Sequence, residues 1–281
     1  FLFPAYSEKG KVDLCMPIFD EMLLMKLPRF GIRTMMYNTV MKAYANSGNL
    51  HGGEKWLHRM LGDRIRLNHK TFGKLVEAAA KTGDSAAAER IMQQGAHFGL
   101  DAHAYQYSML VNAACKAGDI SKAIKNMDIM KKLGVPVTSV TYTAVLDYYA
   151  KRGATVACEE WFQKMVDAGV EPDRANYTCV INSHAKRGNI QEAEVWFAKM
   201  QQAGMEIHPG LYALMMNACA RGRDPLRAEM WMEKLQASGL ADNSPIAYTS
   251  CIDAWGRVGN VANAKKWFAN MVSNGIDANR I

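Results

Sequence analysis

Apolar positions recur at helical spacing along the chain, and this pattern itself repeats every 35 residues, with one final step of 36. In most copies an aromatic residue is followed eleven positions later by glycine, as Tyr142 is by Gly153. The aromatic series is Tyr37, Phe72, Tyr107, Tyr142, Tyr177, Tyr212 and Tyr248. In the copy that contains Tyr212, Arg223 occupies the position where glycine is expected, and Gly222 lies one position before it. Such a fixed period predicts a repeat architecture.

Each copy predicts two helices. The first carries apolar residues at helical spacing, as in Tyr142, Val145 and Tyr149, and ends at the glycine, which readily takes a left-handed conformation. N-cap residues follow directly at Asn49, Asp84, Asp119, Asn189, Asp224 and Asn260. Asn189 with Glu192 predicts a capping box. A single hairpin cannot bury its own apolar face, so we expect stacked copies to form one solenoid.

Two further series share the same period and belong to the predicted second helices. Large rings occur at Trp56, Trp161, Trp196, Trp231 and Trp267. Small residues occur at Ala88, Ala123, Cys158, Ala193, Ala228 and Ala264. We interpret the rings as packing between helices, and the small residues as points where two helices approach closely.

The period defines the organisation of the chain as one domain, residues 1–281. The copies are a partial one at 1–33, then 34–68, 69–103, 104–138, 139–173, 174–208, 209–244 and 245–279. Residues 280–281 begin a further copy, and about three extra residues between Leu23 and Pro28 predict an irregular exit turn. Both ends fall inside copies, so we expect the parent protein to be longer.

Composition narrows the class of partner. Hydrophobic residues make up 49% of the chain, which is enough for a core, and the net charge of +7 favours an anionic partner. The six cysteines include no close-spaced pair and predict packing in a reducing compartment rather than a disulfide or zinc framework. No apolar run approaches the length that spans a bilayer, so no membrane insertion is expected.

Catalytic motifs are missing from the sequence. The seven histidines form no HExxH pattern or spaced Cys/His cluster, and no glycine-rich loop could cradle a phosphate. We therefore expect no enzyme activity, metal, cofactor or small-molecule substrate in this segment.

The repeat resembles one known family. Val140-Thr141-Tyr142-Thr143 through Gly169-Val170-Glu171-Pro172-Asp173 resembles the P-type, 35-residue unit of the pentatricopeptide repeat family. The resemblance implies an all-α, right-handed solenoid, a superhelix of stacked helix-turn-helix repeats. Some members also carry a zinc deaminase domain, and nothing here matches its HxE and CxxC motifs.

The resemblance also implies a site. In such proteins the fifth and last residues of a repeat together read one RNA base. Applied to this sequence, the pairs are Asn38/Asn68, Gly73/His103, Ser108/Thr138, Thr143/Asp173, Thr178/His208, Ala213/Ser244 and Thr249/Asn279. Asn/Asn implies a pyrimidine, Thr/Asp implies G and Thr/Asn implies A. The other four pairs do not fit that code, and the implied tract is pyrimidine-N-N-G-N-N-A, with its 5′ end toward the N-terminus.

Two more sets of residues belong to the implied site. The second residue of a repeat should flank the base, a role open to Met35, Tyr105, Val140 and Ile246 but not to Ala175 or Gly210. Cations recur near the end of the first helix, at Lys81, Lys116, Lys151, Lys186, Arg221 and Arg257. They would contact phosphates, although a helix dipole also favours a cation at this position.

Two functions stay open at this point. One is single-stranded RNA binding in a mitochondrion or plastid, acting by occupancy in RNA stabilisation, processing or translation. The other is a structural subunit of a large organellar assembly such as a ribosome, in which the partners are proteins or ribosomal RNA. Degenerate base-reading pairs favour the second, and the row of cations favours the first.

Overall fold

The structure, a computed structural model, describes residues 2–25, 31–100, 104–240 and 245–276, and within these ranges it contains helices and no strands. The first helices of the copies are α1 (Leu2–Glu8), α3 (Ile32–Ser47), α5 (His69–Thr82), α7 (Ala104–Ala117), α9 (Ser139–Lys151), α11 (Arg174–Arg187), α13 (Pro209–Arg221) and α15 (Pro245–Arg257). The second helices are α2 (Val12–Leu24), α4 (Leu50–Gly62), α6 (Ser85–His97), α8 (Ile120–Lys132), α10 (Thr155–Asp167), α12 (Ile190–Gln202), α14 (Pro225–Ala237) and α16 (Val261–Ser273).

The ends of the helices follow the predicted capping chemistry. Five of the six predicted N-caps accept a hydrogen bond from a backbone N–H of the first helical turn, as Asp84 does from Ala87 at 2.9 Å. The predicted capping box at Asn189 is wrong, because the Asn189 side chain makes no capping bond. Its backbone angles (φ −80, ψ 77) match those of the other caps, so the difference lies in the orientation of the side chain.

The left-handed turn after α13 is built without glycine. Arg223, at the position where the other copies have glycine, has φ 57, while Gly222 before it is right-handed with φ −76. Gly222 has a packing role instead. A Cβ placed on Gly222 would lie 2.8 Å from the Gly188 carbonyl oxygen, so the ends of α11 and α13 touch through their backbones.

The contacts divide the chain into two compact units, residues 1–145 and 146–281, called unit 1 and unit 2 below. In unit 1, α3, α5 and α7 stack on one another, and each packs on its own second helix. In unit 2, α11, α13 and α15 do the same. This arrangement confirms the predicted fold class, an all-α solenoid of stacked helix-turn-helix repeats. The single-domain organisation stays a prediction, as do the boundaries of the copies.

The core confirms the interpretation of the tryptophan series as packing. Trp56, Trp161, Trp196 and Trp231 are buried, and the rings meet edge to face, as Phe197 does with Trp231 at a centroid distance of 4.8 Å. The small residues Ala88, Ala123, Cys158, Ala193 and Ala228 are fully buried beneath them. Because these four rings are buried against neighbouring helices, they offer no stacking platform for bases.

A row of glutamates on the second helices was not anticipated from the sequence. Each glutamate accepts a hydrogen bond from a tryptophan of the following copy: Glu159 from Trp196 at 2.8 Å, Glu194 from Trp231 at 3.1 Å, and Glu229 from Trp267 at 2.5 Å. Indole donates only through its single N–H, so one well-placed acceptor satisfies it. These bonds fix the register between successive copies in unit 2.

All six thiols are free, and all but that of Cys179 are buried. Burial raises the pKa of the Cys158, Cys219 and Cys251 thiols to about 12, so they stay protonated and act as small apolar groups. No helix in the described ranges is both long and apolar enough to cross a bilayer. Residues 26–30, which include part of the predicted irregular turn, and residues 277–281 lie outside the described ranges.

Candidate nucleic-acid interface

Asn38 and Asn68, the predicted base-reading residues of copy 34–68, lie together in unit 1. The Asn38 side-chain amide donates to Asn68 Oδ1 at 3.3 Å. Thr71, the third residue of the next copy, donates from its hydroxyl to Asn38 Oδ1 at 2.8 Å. Asn68 is at the same time the N-cap of α5, because its Oδ1 accepts from the Thr71 backbone N–H at 3.1 Å. The helix start therefore fixes the orientation of a predicted base-reading side chain.

Copy 104–138 has the same three-residue arrangement built from hydroxyls. Ser108 and Thr141 share a hydrogen bond of 2.8 Å, and Thr138 lies 3.5 Å from the same Thr141 oxygen. Thr71 and Thr141 are both fully buried polar residues, and they lie two repeat periods of 35 residues apart. Their position three residues into a first helix is the signal that sequence reasoning missed.

The capping role of the last residue recurs in unit 2. Asp173 Oδ1 accepts from the backbone N–H groups of Ala175 at 2.8 Å and Asn176 at 3.1 Å, and the Asn176 side chain accepts from the Asp173 N–H at 2.8 Å. His208 is the N-cap of α13 without a side-chain capping bond. Its ring lies over Gly210, 3.1 Å from where a Cβ on that glycine would be.

The threonines at the fifth position bond to their own helices. The hydroxyls of Thr143, Thr178 and Thr249 donate to the carbonyl oxygens of Ser139, Arg174 and Ile246 at 2.9, 2.8 and 2.9 Å. A hydroxyl that gives its proton to the backbone still offers lone pairs, so each can accept a bond from a base. Asn279, the predicted partner of Thr249, lies outside the described residues.

The predicted base-flanking residues are large, apolar and unusually exposed. Met35, Tyr105, Val140 and Ile246 are exposed by 60, 52, 63 and 62%. They occupy one position of the repeat, so the exposure is a regular feature of the first helices rather than scattered surface apolarity. Lys70 holds the same position in copy 69–103, where a cation replaces the apolar side chain of these four copies.

A groove of about 1720 Å³ in unit 1 brings base-flanking and base-reading residues of two copies together. It is lined by the Asn38/Asn68 pair, by the exposed Met35 and Tyr105, and by Gly73. Asp63 is the one carboxylate among the lining residues. Six cationic residues also line the groove: Arg33, Lys42, Arg64, Arg66, Lys70 and Lys74. A concave surface with exposed apolar groups, amides and cations can hold bases and phosphates at the same time.

Several of the predicted phosphate-contacting cations have protein partners. In unit 1, Lys81 bonds to Asn46 at 2.8 Å and to Glu77 at 3.2 Å. Burial would raise the pKa of Glu77, but the hydrogen bonds and charges of Lys74 and Lys81 outweigh burial and lower this pKa. Lys116 has no ion pair within the described residues, so its ammonium group is the most available of the series in unit 1.

In unit 2 the same position serves partly to hold the repeats together. Lys186 donates to the carbonyl oxygen of Lys151, the last residue of α9, at 2.8 Å. Lys151 pairs with Asp147 at 2.6 Å, and Arg257 pairs with Asp253 at 2.8 Å, each four residues back. Arg221 donates to Asn217 at 3.2 Å. The ammonium group of Lys186 therefore lies at the C-terminal end of α9, where a helix dipole favours a cation. A phosphate-contacting role stays a prediction for all six cations.

Comparison with known proteins agrees with these features. A family model described as a pentatricopeptide repeat-containing protein matches residues 74–200, and a second model, the PPR repeat, matches residues 35–65, 211–240 and 246–276. Together the matches span most of the chain. The chain belongs to the pentatricopeptide repeat family.

Individual relatives are distant, and this chain spans only a small part of the length of the first two. A chloroplastic pentatricopeptide repeat-containing protein of Arabidopsis thaliana is 34% identical over 82 residues, which is 29% of this chain and 11% of that protein. The structure of the maize pentatricopeptide repeat protein PPR10 in complex with an 18-nt psaJ RNA element has a TM-score of 0.78 at 20% identity, over 93% of this chain and 38% of that one. The pentatricopeptide repeat domain of Arabidopsis thaliana protein-only RNase P 1, in complex with tRNA, has a TM-score of 0.52 at 11% identity, over 63% of this chain and 94% of that domain. At these identities the two structures show the shared fold.

Proposed function

We propose that this chain binds single-stranded RNA along its first helices and acts by occupancy, without catalysis in this segment. The observation that carries the proposal is the unit 1 groove, in which the Asn38/Asn68 pair, the exposed Met35 and Tyr105 and six cationic residues share one surface. Membership of the family and the fold shared with RNA-bound PPR10 support it.

The physical argument concerns what each group offers to a nucleic acid. Amides and hydroxyls held by N-capping bonds can hydrogen-bond to the edges of unstacked bases, and exposed apolar side chains can pack against their faces. Cations bind phosphates by releasing counterions, so binding should weaken as salt rises. An RNA duplex would hide its base edges, so a single strand is the form that this surface fits.

The direction and the base preference rest on the family code and are part of the proposal. The 5′ end would lie toward the N-terminus, with a pyrimidine at the Asn38/Asn68 pair, G where Asp173 contributes and A where Thr249 contributes. An organellar location and a role in RNA stabilisation, processing or translation are also family expectations. The chloroplastic relative supports the location.

Binding of a labelled single-stranded RNA at several salt concentrations tests this proposal. Replacing Arg33 and Arg66, which line the groove, with Gln should flatten the dependence of log affinity on log salt by about 1.4, at about 0.7 per phosphate contact for single strands. The matched control replaces Lys131 and Lys132, exposed lysines at the end of α8, with Gln. Equal loss in both double variants would show that net charge alone, and not the groove, attracts RNA.

A scaffold role in a larger assembly is the second candidate. It is favoured by Gly73 and Ala213, which offer no polar side chain at the base-reading position. It is also favoured by Val156, Leu226 and Val261, second-helix residues that are 68, 64 and 60% exposed and could contact a protein. If the chain retains no single-stranded RNA at low salt, the scaffold role becomes the better account.

A further inference from the structure

Among the described turns that follow the second helices, one carries an arginine where the others carry glycine. The turns that follow the second helices contain Gly99, Gly134, Gly169, Gly204, Gly239 and Gly275, all left-handed with φ between 65 and 73. The residue in phase with them after α4 is Arg64, and it adopts the same left-handed conformation with φ 53.

The hydrogen bonds of this turn match those of its glycine counterparts. Arg64 donates its N–H to Leu61 at 3.1 Å, and the next residue, Ile65, donates to Met60 at 2.9 Å. The corresponding bonds at Gly169 and Val170 are 2.9 and 3.1 Å. A side chain therefore occupies a backbone position that normally excludes one, at a conformational cost that glycine would avoid. An outlier of this kind suggests a functional reason for the side chain when the residue also lines a groove, as Arg64 does and Arg223 does not.

The surroundings of Arg64 point to an anionic ligand. Arg64, Arg66 and Lys70 are exposed, line the unit 1 groove, and make no ion pair within the described residues. Asp63, the carboxylate of that lining, is already engaged by the Tyr37 hydroxyl and lies 3.7 Å from Arg59. This end of the groove therefore holds cations whose charge the protein does not neutralise.

The floor of the groove is open beside these cations. Gly73 stands where the neighbouring copies have Asn38 and Ser108, and the nearest atom to a Cβ built on it is Nε2 of Gln106, at 4.0 Å. Lys70 replaces the apolar base-flanking residue of the same copy. Copy 69–103 thus has no polar side chain at its fifth residue and no apolar side chain at its second, and it offers a cation and space for an approaching ligand instead.

We propose that Arg64, Arg66 and Lys70 form a phosphate-binding subsite over Gly73, separate from the row of cations at the ends of the first helices. The phosphate is a backbone phosphate of bound RNA or a free polyphosphate, since both present the same oxygens to the cations. The RNA source rests on the proposed function, whereas the free polyphosphate source does not.

The Arg64→Gly variant tests this subsite, because it removes the cation and restores the residue that the other turns use. Arg223→Gly is the matched control, since Arg223 has φ 57 and is exposed in the turn between α13 and α14, away from the unit 1 groove lining. Both substitutions relieve the same backbone conformation, so neither should unfold the protein. Arg64→Lys keeps the charge and serves as the conservative variant.

With single-stranded RNA, Arg64→Gly should reduce affinity about eightfold at 50 mM salt and about threefold at 200 mM, the difference expected for one phosphate contact with a slope of about 0.7. Arg223→Gly and Arg64→Lys should bind as the wild type does. Equal affinities for Arg64→Gly and Arg223→Gly at every salt concentration would overturn the subsite.

Calorimetry with inorganic pyrophosphate separates the two sources. If the wild type binds no RNA but binds pyrophosphate, and only Arg64→Gly loses that binding, the proposed function fails while the subsite stands with a free polyphosphate. If the wild type binds neither RNA nor pyrophosphate, both proposals fail.

Discussion

The contact between Gly188 and Gly222 allows a sharp test of how the copies of unit 2 stack. A Cβ on Gly222 would lie 2.8 Å from the Gly188 carbonyl oxygen and 2.8 Å from Ile190 Cδ1. The isoleucine methyl can rotate away, but the carbonyl is backbone, so Gly222→Ala must push the ends of α11 and α13 apart. Overpacking of this kind costs about 1–3 kcal/mol.

Gly256 provides the matched control for the same chemical change. It lies in α15, and a Cβ there would have no neighbour within 4 Å. Alanine at a helical position is favoured over glycine by about 0.4–1 kcal/mol, mainly through the entropy of the unfolded chain. The same gain applies at Gly222, so we expect a net loss of about 1–2 kcal/mol for Gly222→Ala and a gain of about 0.5–1 kcal/mol for Gly256→Ala.

Urea unfolding followed by far-ultraviolet circular dichroism measures both variants against the wild type. The slope of the transition should be compared first, because repeat proteins can lose cooperativity when one interface weakens. A Gly222→Ala variant as stable as Gly256→Ala would refute the close approach of α11 and α13. That result would also leave the glycine at position 222, one residue before the position where the other copies have glycine, without a packing role.

Four further outcomes are expected. Asp173→Asn should move the preferred base from G to A at its position in a selected RNA, and an unchanged preference would show that the family code does not transfer. Tyr105→Ala should weaken RNA binding by about 1–3 kcal/mol through lost stacking, whereas Tyr105→Phe, which removes only the hydroxyl that donates to Glu77 at 3.4 Å, should keep the affinity; unaltered affinity of Tyr105→Ala in a titration would exclude the stacking role. Glu229→Leu leaves the N–H groups of Trp255 and Trp267 without their acceptor and should cost about 1–2 kcal/mol in urea unfolding, while Glu229→Gln should cost less; equal losses would contradict this role. A disulfide reagent at pH 8 should leave the buried thiols with pKa about 12 unmodified, because only about one in 10⁴ is ionised, and full modification of the folded protein would show that they are not buried.

The sequence predicted the helical framework well because the residues that determine it act locally. First helices begin at His69 and Arg174, the first residues of two predicted copies, because the capping residues Asn68 and Asp173 precede them. The period of 35 residues also predicted the buried tryptophans correctly, because an apolar residue that recurs at one position of each copy packs in the same way between neighbouring helices.

The features that escaped prediction depend on contacts between copies or on backbone conformation. The bonds from Thr71 to Asn38, and from Trp231 to Glu194, join residues 33 and 37 positions apart, and no local pattern signals which acceptor a side chain will meet. Arg64 reads as an ordinary surface arginine until its φ of 53 is known. The predicted site therefore contained the amide and apolar residues of the unit 1 groove, but it did not contain the cations Arg64, Arg66 and Lys70.

The most direct test of the central proposal is selection from a randomised single-stranded RNA pool by the purified chain at moderate salt, followed by sequencing of the retained RNA. We expect enrichment of a tract in which G and A occupy positions three nucleotides apart, with a pyrimidine three positions before the G. Retention without any enriched tract, or no retention at all, would contradict sequence-specific RNA binding and favour the scaffold role.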